Sequence, residues 1–291
     1  MYKIKIVTDS GSDLDFAKAR ELGIKIFSFP IAVDNTTYKQ SETFTPDDFY
    51  KVMDDSTGFP VTSQITFVEF GEAYKKYYEK KYTDIIYISI SSTGSNTYNN
   101  ALMARTEFYT EFPEAEKNFR IHIVDSKNYT GSYGYPTLEA ALKAQKGITP
   151  DEIVAYLEEW FECVEMYFAP YSLEYVRRSG RLSAAAAFAG ELLGLRPIIK
   201  MCDGASFVPE KVRGDKNIIP KLLQVAEKQM IPHTPYCILE GSLPEAAEEI
   251  TKEMTKKFGY PPECTFKIGA TIGSHAGHKV VGFVIRGQKR K

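Results

Sequence analysis

Closely spaced cysteines, long apolar runs and an excess of either charge are all missing from this sequence of 291 residues. The four cysteines, at positions 163, 202, 237 and 264, lie far apart, which argues against a zinc site or a disulfide framework and predicts buried free thiols. No window reaches the ~18 consecutive apolar residues of a membrane span. A formal net charge of -2 provides no electrostatic footprint for DNA or RNA, so no nucleic-acid partner is expected.

The N-terminal segment MYKIKIVTDS also lacks the apolar core of a secretory signal, because charged residues alternate with apolar ones. We therefore expect a cytoplasmic protein without a membrane span. A hydrophobic fraction of 43% and a charged fraction of 25% are those of an ordinary globular protein, and the length predicts two domains. The 19 tyrosines and 18 phenylalanines would suffice to line a cavity, but large cores use aromatic residues too.

The first half of the chain alternates short β-type runs with amphipathic helical patterns. This order predicts an α/β domain, with a parallel sheet covered by helices on both faces, over residues 1–157. Residues 34–45 are polar and fit neither pattern, and the stretch 34–60 is interpreted as a small insertion. The predicted strands are 3–7, 24–29, 85–90 and 121–124.

The second half has a different order. A helix over 150–163 precedes the strand-like VEMYFAP, another helix is predicted to begin near Ser179, and strand pairs follow at 196–201 and 206–211. Adjacent strands joined as hairpins predict an α+β domain, which we assign to residues 158–291. No low-complexity linker separates the halves, so we expect a close interface between the two domains.

Three predicted strands of the first half end in hydroxyl and carboxylate residues, in TDSGSD, SISSTGSNTYN and VDSKNYTG. Ligands of open α/β sheets bind beyond the carboxyl ends of the strands, so these segments are expected to meet at one crevice. In the first segment, Asp9 either caps the following helix or orients hydroxyls around an anion. Thr62, in PVTSQ before a helix predicted near Phe67, is a candidate carboxylate donor, with Ser63 or Thr66 as the helix N-cap.

The loop of residues 91–99 is the richest in hydroxyls, with six in nine residues, and contributes Ser92 and Ser95 as candidate ligand-binding residues. It resembles an anion cradle but lacks the Gly-Lys-Ser/Thr of a P-loop, so nucleotide binding is unsupported. The small-residue helix of 180–190 would either pack closely on a backbone or leave space for a slender ligand. Near the C-terminus, residues 272–278 are predicted to form a Gly-rich turn, in which His275 and His278 are candidates for acid-base or anion-pairing work.

Six segments taken together resemble the DegV-like fatty-acid-binding family, in the family's order and spacing and almost from end to end of the chain. They are TDSGSDL, PVTSQ, SISSTGSNTYNNA, VDSK, RRSGRLSAAAAFAG and IGSHAGHKVVGF.

The resemblance implies a carrier with one fatty acid in a tunnel between its two domains, serving in bacteria as the binding subunit of a fatty-acid kinase. It implies a long-chain acid of roughly C14 to C18, whose methylenes supply free energy on burial. By motif position Thr62 and Ser95 hold the carboxylate, His275 lies beside it and Arg181 is near the pocket. Arg213 resembles a surface arginine used for kinase docking. The resemblance implies neither a cofactor nor a metal, and it is compatible with transient contact between the protein and a membrane.

The sequence departs from the family pattern in two places. Asn96 stands where glycine is usual, which would alter the loop if a left-handed backbone is needed there. His278 and Lys279 replace the usual Pro-Gly, which puts the kinase-facing rim in doubt.

The sequence is also compatible with two rival functions. One is a serine-type hydrolase or acyltransferase with Ser95 or Ser92 as nucleophile, His275 as base and Asp9 or Asp125 as orienting acid, although no Gly-x-Ser-x-Gly elbow is present. The other is binding of a phosphosugar or nucleotide.

Overall fold

The computed structural model describes residues 2–188 and 194–290, without the side chain of Phe188. The strands are β1 (Ile4–Asp9), β2 (Lys25–Phe27), β3 (Ile31–Val33), β4 (Thr36–Tyr38), β5 (Val61–Thr62), β6 (Asp84–Ser89), β7 (Arg120–Asp125), β8 (Val164–Pro170), β9 (Leu195–Cys202), β10 (Ala205–Arg213), β11 (Tyr236–Glu240), β12 (Cys264–Lys267) and β13 (Val280–Arg286). The helices are α1 (Phe16–Glu21), α2 (Pro46–Asp55), α3 (Phe67–Glu79), α4 (Thr97–Glu111), α5 (Gly131–Gln145), α6 (Pro150–Cys163), α7 (Glu174–Arg178), α8 (Ser183–Phe188), α9 (Ile218–Gln229), α10 (Pro244–Phe258) and α11 (Ala270–Ala276).

The first sheet contains four parallel strands in the order β2-β1-β6-β7. All six residues of β6 are buried, as a central strand covered on both faces requires. Helix α5 packs near β1, while α4 and α6 pack near β7. The predicted parallel α/β sheet is confirmed, with strand positions close to those read from the sequence.

The second sheet is mixed and contains six strands in the order β10-β9-β8-β13-β11-β12. Every neighbouring pair is antiparallel except β11 and β12, which run parallel. The β9-β10 hairpin and the strand β8 lie where the sequence placed them. The α+β character of the second half is therefore confirmed.

A third, small antiparallel sheet has the order β4-β3-β5 and packs with α2. Its core contains Ile31, Phe49, Tyr50 and Met53, together with Ala270 from α11. The stretch 34–60, interpreted as an insertion, supplies β4 and α2 of this unit. The unit brings β5 next to α11.

Three local features differ from the sequence-based picture. The domain boundary drawn between residues 157 and 158 falls inside α6, which packs against β6 and β7 of the first sheet. Residues 272–278 do not form a turn throughout, because 272–276 belong to helix α11, which ends at Gly277 with φ +77°. The helix expected near Ser179 is replaced by two short helices, α7 and α8, and positions 189 and 190 of the small-residue run lie outside the described residues.

No helix among the described residues combines the length and apolar character needed to cross a bilayer.

Candidate ligand-binding site

A cavity of about 370 Å³ lies between the first and second sheets. This volume falls in the range of roughly 300–1,000 Å³ typical of small-molecule sites. The second sheet contributes side chains of β8, β9, β11 and β13, and the first contributes residues just beyond the ends of β2, β6 and β7. The apolar lining is formed by Phe29, Ile90, Tyr129, Met166, Phe168, Leu182, Met201, Leu239, Ile268, Ile272, Ala276 and Val280.

One part of the wall is polar, and four of the residues predicted from the sequence meet there: Thr62, Ser95, Arg181 and His275. The hydroxyl oxygen Oγ1 of Thr62 lies 3.0 Å from Nε2 of His275. Strand β5 holds Thr62 beside β3, and the last turn of α11 carries His275. Residues 213 positions apart in the chain are thus brought into direct contact.

The His275 ring is neutral at physiological pH. Burial, together with the smaller effect of the neighbouring Arg181 cation, lowers its pKa to about 4. A neutral imidazole has one nitrogen that donates and one that accepts a hydrogen bond. The site therefore offers an uncharged donor from His275 beside the fixed positive charge of Arg181.

Ser95 lies in the loop before α4. Its hydroxyl donates to Oγ1 of Thr97 at 2.9 Å and accepts from the backbone N–H of Thr97. The carbonyl oxygen of the preceding residue, Gly94, accepts a hydrogen bond from Nε of Arg181 at 3.3 Å. A Cβ atom at Gly94 would lie 2.3 Å from the hydroxyl of Tyr129, so only glycine fits this close approach. The loop and Arg181 are in this way held together at the polar wall.

Asn96 causes no strain in this loop. Its φ of -73° is an ordinary value, so the left-handed conformation that would favour glycine does not occur. The change in loop backbone that this departure from the family pattern could have caused is therefore not required at Asn96.

Asp9 and Ser92 do not line the cavity. Asp9 is fully buried and accepts hydrogen bonds from the hydroxyls of Tyr87 and Tyr133 at 2.8 and 2.6 Å, and from the N–H groups of Gly11 and Ile90. It thereby anchors Ile90, which is a lining residue.

Ser92 donates from its hydroxyl to Oδ2 of Asp125 at 2.5 Å, and its N–H donates to Oδ1 of the same carboxylate. This pair fixes the end of β6 to the end of β7. The contribution of both Asp9 and Ser92 is to the shape of the crevice.

His278 and Arg213 lie away from the cavity wall. The ring of His278 is buried, stacks on Tyr50, and has its nitrogens 2.7 Å from Oγ of Ser242 and 3.1 Å from Oδ1 of Asp54. It joins α2 to the turn before α10. Arg213 is exposed at the end of β10.

The hydrolase hypothesis requires a serine, a histidine and an aspartate that are hydrogen-bonded in series. No such series is formed among the described residues by the candidates Ser95, His275 and Asp9 or Asp125. Ser95 is hydrogen-bonded to Thr97, and Nε2 of His275 is paired with Thr62. The two candidate acids, Asp9 and Asp125, are paired with other groups. This geometry gives no support to Ser95 as a nucleophile.

Sequence reasoning missed most of the apolar wall and some of its polar residues. Tyr129 and Thr130 lie in the VDSKNYTG segment, whose position at a strand end was a usable signal. Thr271, whose hydroxyl is 2.9 Å from that of Ser10, is a further lining residue. No sequence signal marked Met166, Phe168 and Leu239 as lining residues. Strands β8 and β11 are buried along nearly their whole length, so their apolar pattern does not distinguish the cavity face from the opposite face.

Comparison with known proteins places these observations in a family. The profile of the family described as uncharacterised DegV-family proteins matches residues 3–288. A DegV domain-containing protein of Clostridium perfringens is 31% identical over 282 residues, which are 95% of each chain.

Two solved structures share the fold at somewhat lower identity. A DegV-family protein from Thermus thermophilus, described as binding fatty acid, is 26% identical with a TM-score of 0.84 over 98% of this chain and 100% of that one. The fatty-acid-binding DegV of Bacillus subtilis is also 26% identical, with a TM-score of 0.83 over 99% and 100% of the two chains. The profile match over nearly the whole chain shows that this protein belongs to the DegV family.

Proposed function

We propose that the chain binds one long-chain fatty acid, with its tail in the apolar cavity and its carboxylate at the polar wall. The observation that carries this proposal is the position of Thr62, Ser95, Arg181 and His275 close together in the lining of a mainly apolar cavity. The fatty-acid binding described for the Thermus and Bacillus relatives supports the same ligand class.

The tail supplies most of the binding free energy. Each buried methylene contributes about 0.8 kcal/mol, so a chain of roughly fifteen contributes on the order of 12 kcal/mol before ordering costs are subtracted. Side chains such as Met166, Phe168 and Leu239 present the apolar surface against which a chain can pack. An acid of roughly C14 to C18 is the expected ligand, as the resemblance to the family implies.

The carboxylate needs donors, because an unpaired buried charge would cancel the gain from the tail. Hydroxyl protons rotate freely, so Ser95 can turn its donor from Thr97 to a carboxylate oxygen without moving the backbone. Thr62 and the neutral His275 supply further donors, and Arg181 offsets the negative charge. The head group is thus paired with several donors and a single formal cation.

The proposed role of the complex is to present this carboxylate to a separate kinase for acyl-phosphate formation, with the chain itself as carrier. Phosphoryl transfer needs ATP phosphates, a divalent metal and a positioned base. No group of three or more metal-binding side chains occurs within residues 2–188 and 194–290. In this proposal those components belong to the partner, the exposed Arg213 lies on the docking surface, and the location is the cytoplasm.

Native mass spectrometry of the purified protein tests the ligand directly. We expect an added mass of a long-chain fatty acid, retained under gentle ionisation and released on denaturation, because most of the tail is removed from water. Stripped protein should regain the mass on incubation with palmitate or oleate. A chain that is empty as purified and takes up neither acid contradicts the proposal. Release of a polar phosphorylated compound would favour the phosphosugar or nucleotide alternative.

Ser95→Ala is expected to weaken fatty-acid binding by about 1–3 kcal/mol, because a carboxylate oxygen loses one hydrogen-bond donor. The dissociation constant measured by isothermal titration with a soluble fatty acid should rise by roughly 5-fold to 150-fold. Ser92→Ala is the matched control, since that hydroxyl lies in the same loop but is occupied by Asp125. Equal affinities for the Ser95 variant and the native chain would show that the carboxylate lies elsewhere.

A further inference from the structure

Two of the four cysteines face each other on neighbouring strands of the second sheet. Cys237 in β11 and Cys264 in β12 are register partners, and the thiol of Cys264 donates to Sγ of Cys237 at 3.6 Å. Adjacent strands lie about 4.8 Å apart, which falls within the ~4.4–6.8 Å between Cα atoms that a disulfide spans. The sulfurs need to approach to about 2.05 Å, a shift that small side-chain rotations provide.

The pair is open to solvent from one side only. Cys237 is buried, with 1% of its surface exposed, whereas Cys264 is partly exposed on β12, an edge strand of the sheet. The other two cysteines have different neighbours, since Cys163 contacts Glu159 and Cys202 contacts Asp203. Within residues 2–188 and 194–290, Cys237 and Cys264 are the two cysteines whose sulfurs contact each other.

We propose that Cys237 and Cys264 form a modification site, in which a peroxide-class oxidant converts the two thiols into an intrachain disulfide. The thiolate of Cys264 attacks one peroxide oxygen, the O–O bond breaks, and a sulfenic acid and water result. The sulfur of Cys237 then attacks the sulfur of Cys264, the S–O bond breaks, and the hydroxide leaves with the Cys237 proton as a second water. Two thiols and one hydrogen peroxide therefore become one disulfide and two waters.

The order of the two steps follows from burial. Desolvation raises the pKa of the Cys237 thiol, which therefore keeps its proton until the sulfenic acid is next to it. Cys264 is the thiol that an oxidant in solvent reaches first.

The disulfide would link the edge strand β12 covalently to its neighbour β11. Strand β12 leads directly into Ile268 and α11, which carry lining residues of the cavity. Closing the loop between positions 237 and 264 restrains the unfolded chain, so the melting temperature of the oxidised protein should rise by roughly 5–10 °C.

Peptide mapping of the full-length protein tests the proposal. The folded protein is treated with hydrogen peroxide, its remaining thiols are alkylated in denaturant, and it is digested with trypsin without reductant. We expect two alkylated cysteines instead of four, and a cross-linked pair of peptides covering residues 229–252 and 258–267. Reductant should separate the two peptides and return the melting temperature to its starting value.

Cys264→Ser should abolish the cross-link and leave Cys237 alkylated, whereas Cys163→Ser should form the cross-link as the native chain does. The native peptide map decides the matter even if a variant folds poorly. Four alkylated cysteines after oxidation, a cross-link between other positions, or sulfinic acid at Cys264 without a cross-link would overturn the proposal.

Discussion

Asp9→Ala is expected to lower the free energy of unfolding by about 3–5 kcal/mol, one of the largest single effects available in this protein. The carboxylate is fully buried and accepts four hydrogen bonds, from two tyrosine hydroxyls and two backbone N–H groups. Alanine would leave all four donors buried without a partner, and each unpaired buried donor costs about 1–3 kcal/mol before relaxation. Urea unfolding at pH 7 measures the loss.

The same variant separates a framework role for Asp9 from a direct role in binding. Because Asp9 does not line the cavity, the folded fraction should bind fatty acid nearly as well as the native chain does. Tyr133→Phe removes only one of the four donors and is the matched control, with an expected loss of about 1 kcal/mol. Native-like stability of Asp9→Ala combined with weak ligand binding would instead place Asp9 at the head group.

Asp13→Asn is expected to remove a pH dependence of stability worth about 4 kcal/mol between pH 5 and pH 9. Burial raises the pKa of Asp13 to about 8, against the opposing effects of the Thr130 hydroxyl and the N–H of Gly269. Its folded-state pKa is therefore well above the ordinary value of about 3.9. The protonated form stabilises the fold below pH 4, and that contribution is lost as the pH rises through 8.

Asparagine preserves the geometry at this position. The backbone of Asp13 has φ +53°, a left-handed value that asparagine tolerates, and the amide oxygen can still accept from Gly269, as Oδ1 now does at 2.9 Å. Unfolding free energies of both chains should be compared at intervals from pH 5 to pH 9. The free energy of unfolding of Asp13→Asn, relative to that of the native chain, should increase as the pH rises. Asp15→Asn, at the exposed N-cap of α1, should follow the native curve in shape, and parallel curves for the Asp13 variant would contradict the assignment.

Local signals in the chain predicted much of the first sheet. Runs such as 85–90 are apolar, short and followed by polar turns, and each of these properties acts within a few residues. The capping box of Thr66 and Glu69 is local in the same way, and Thr66 proved to be the N-cap of α3. In contrast, the bounds of α6 were predicted, but its assignment to the first domain depends on its packing against β6 and β7, which local pattern does not reveal.

The candidate site combines both kinds of information. The hydroxyl-rich loop around Ser95 could be recognised from its composition, and the family motifs singled out Thr62, Arg181 and His275. The contact between Thr62 and His275 could not be predicted from the sequence, because it requires β5 to pair with β3 and the small sheet to pack on α11. From the sequence, Asp9 could either cap a helix or orient hydroxyls around an anion. The structure shows that its buried carboxylate belongs to a hydrogen-bond network with two tyrosines that are distant in sequence.

Composition and periodicity were therefore sufficient for the class of fold and for the strand ends at which the candidate ligand site lies. The cavity wall, the buried carboxylates and the facing thiols of Cys237 and Cys264 were decided by tertiary structure alone. The physical reason is that secondary structure follows from neighbours in sequence, whereas burial, pKa and contact follow from neighbours in space. In this protein those neighbours come from segments up to 261 residues apart, brought together by sheet register and by packing between the sheets.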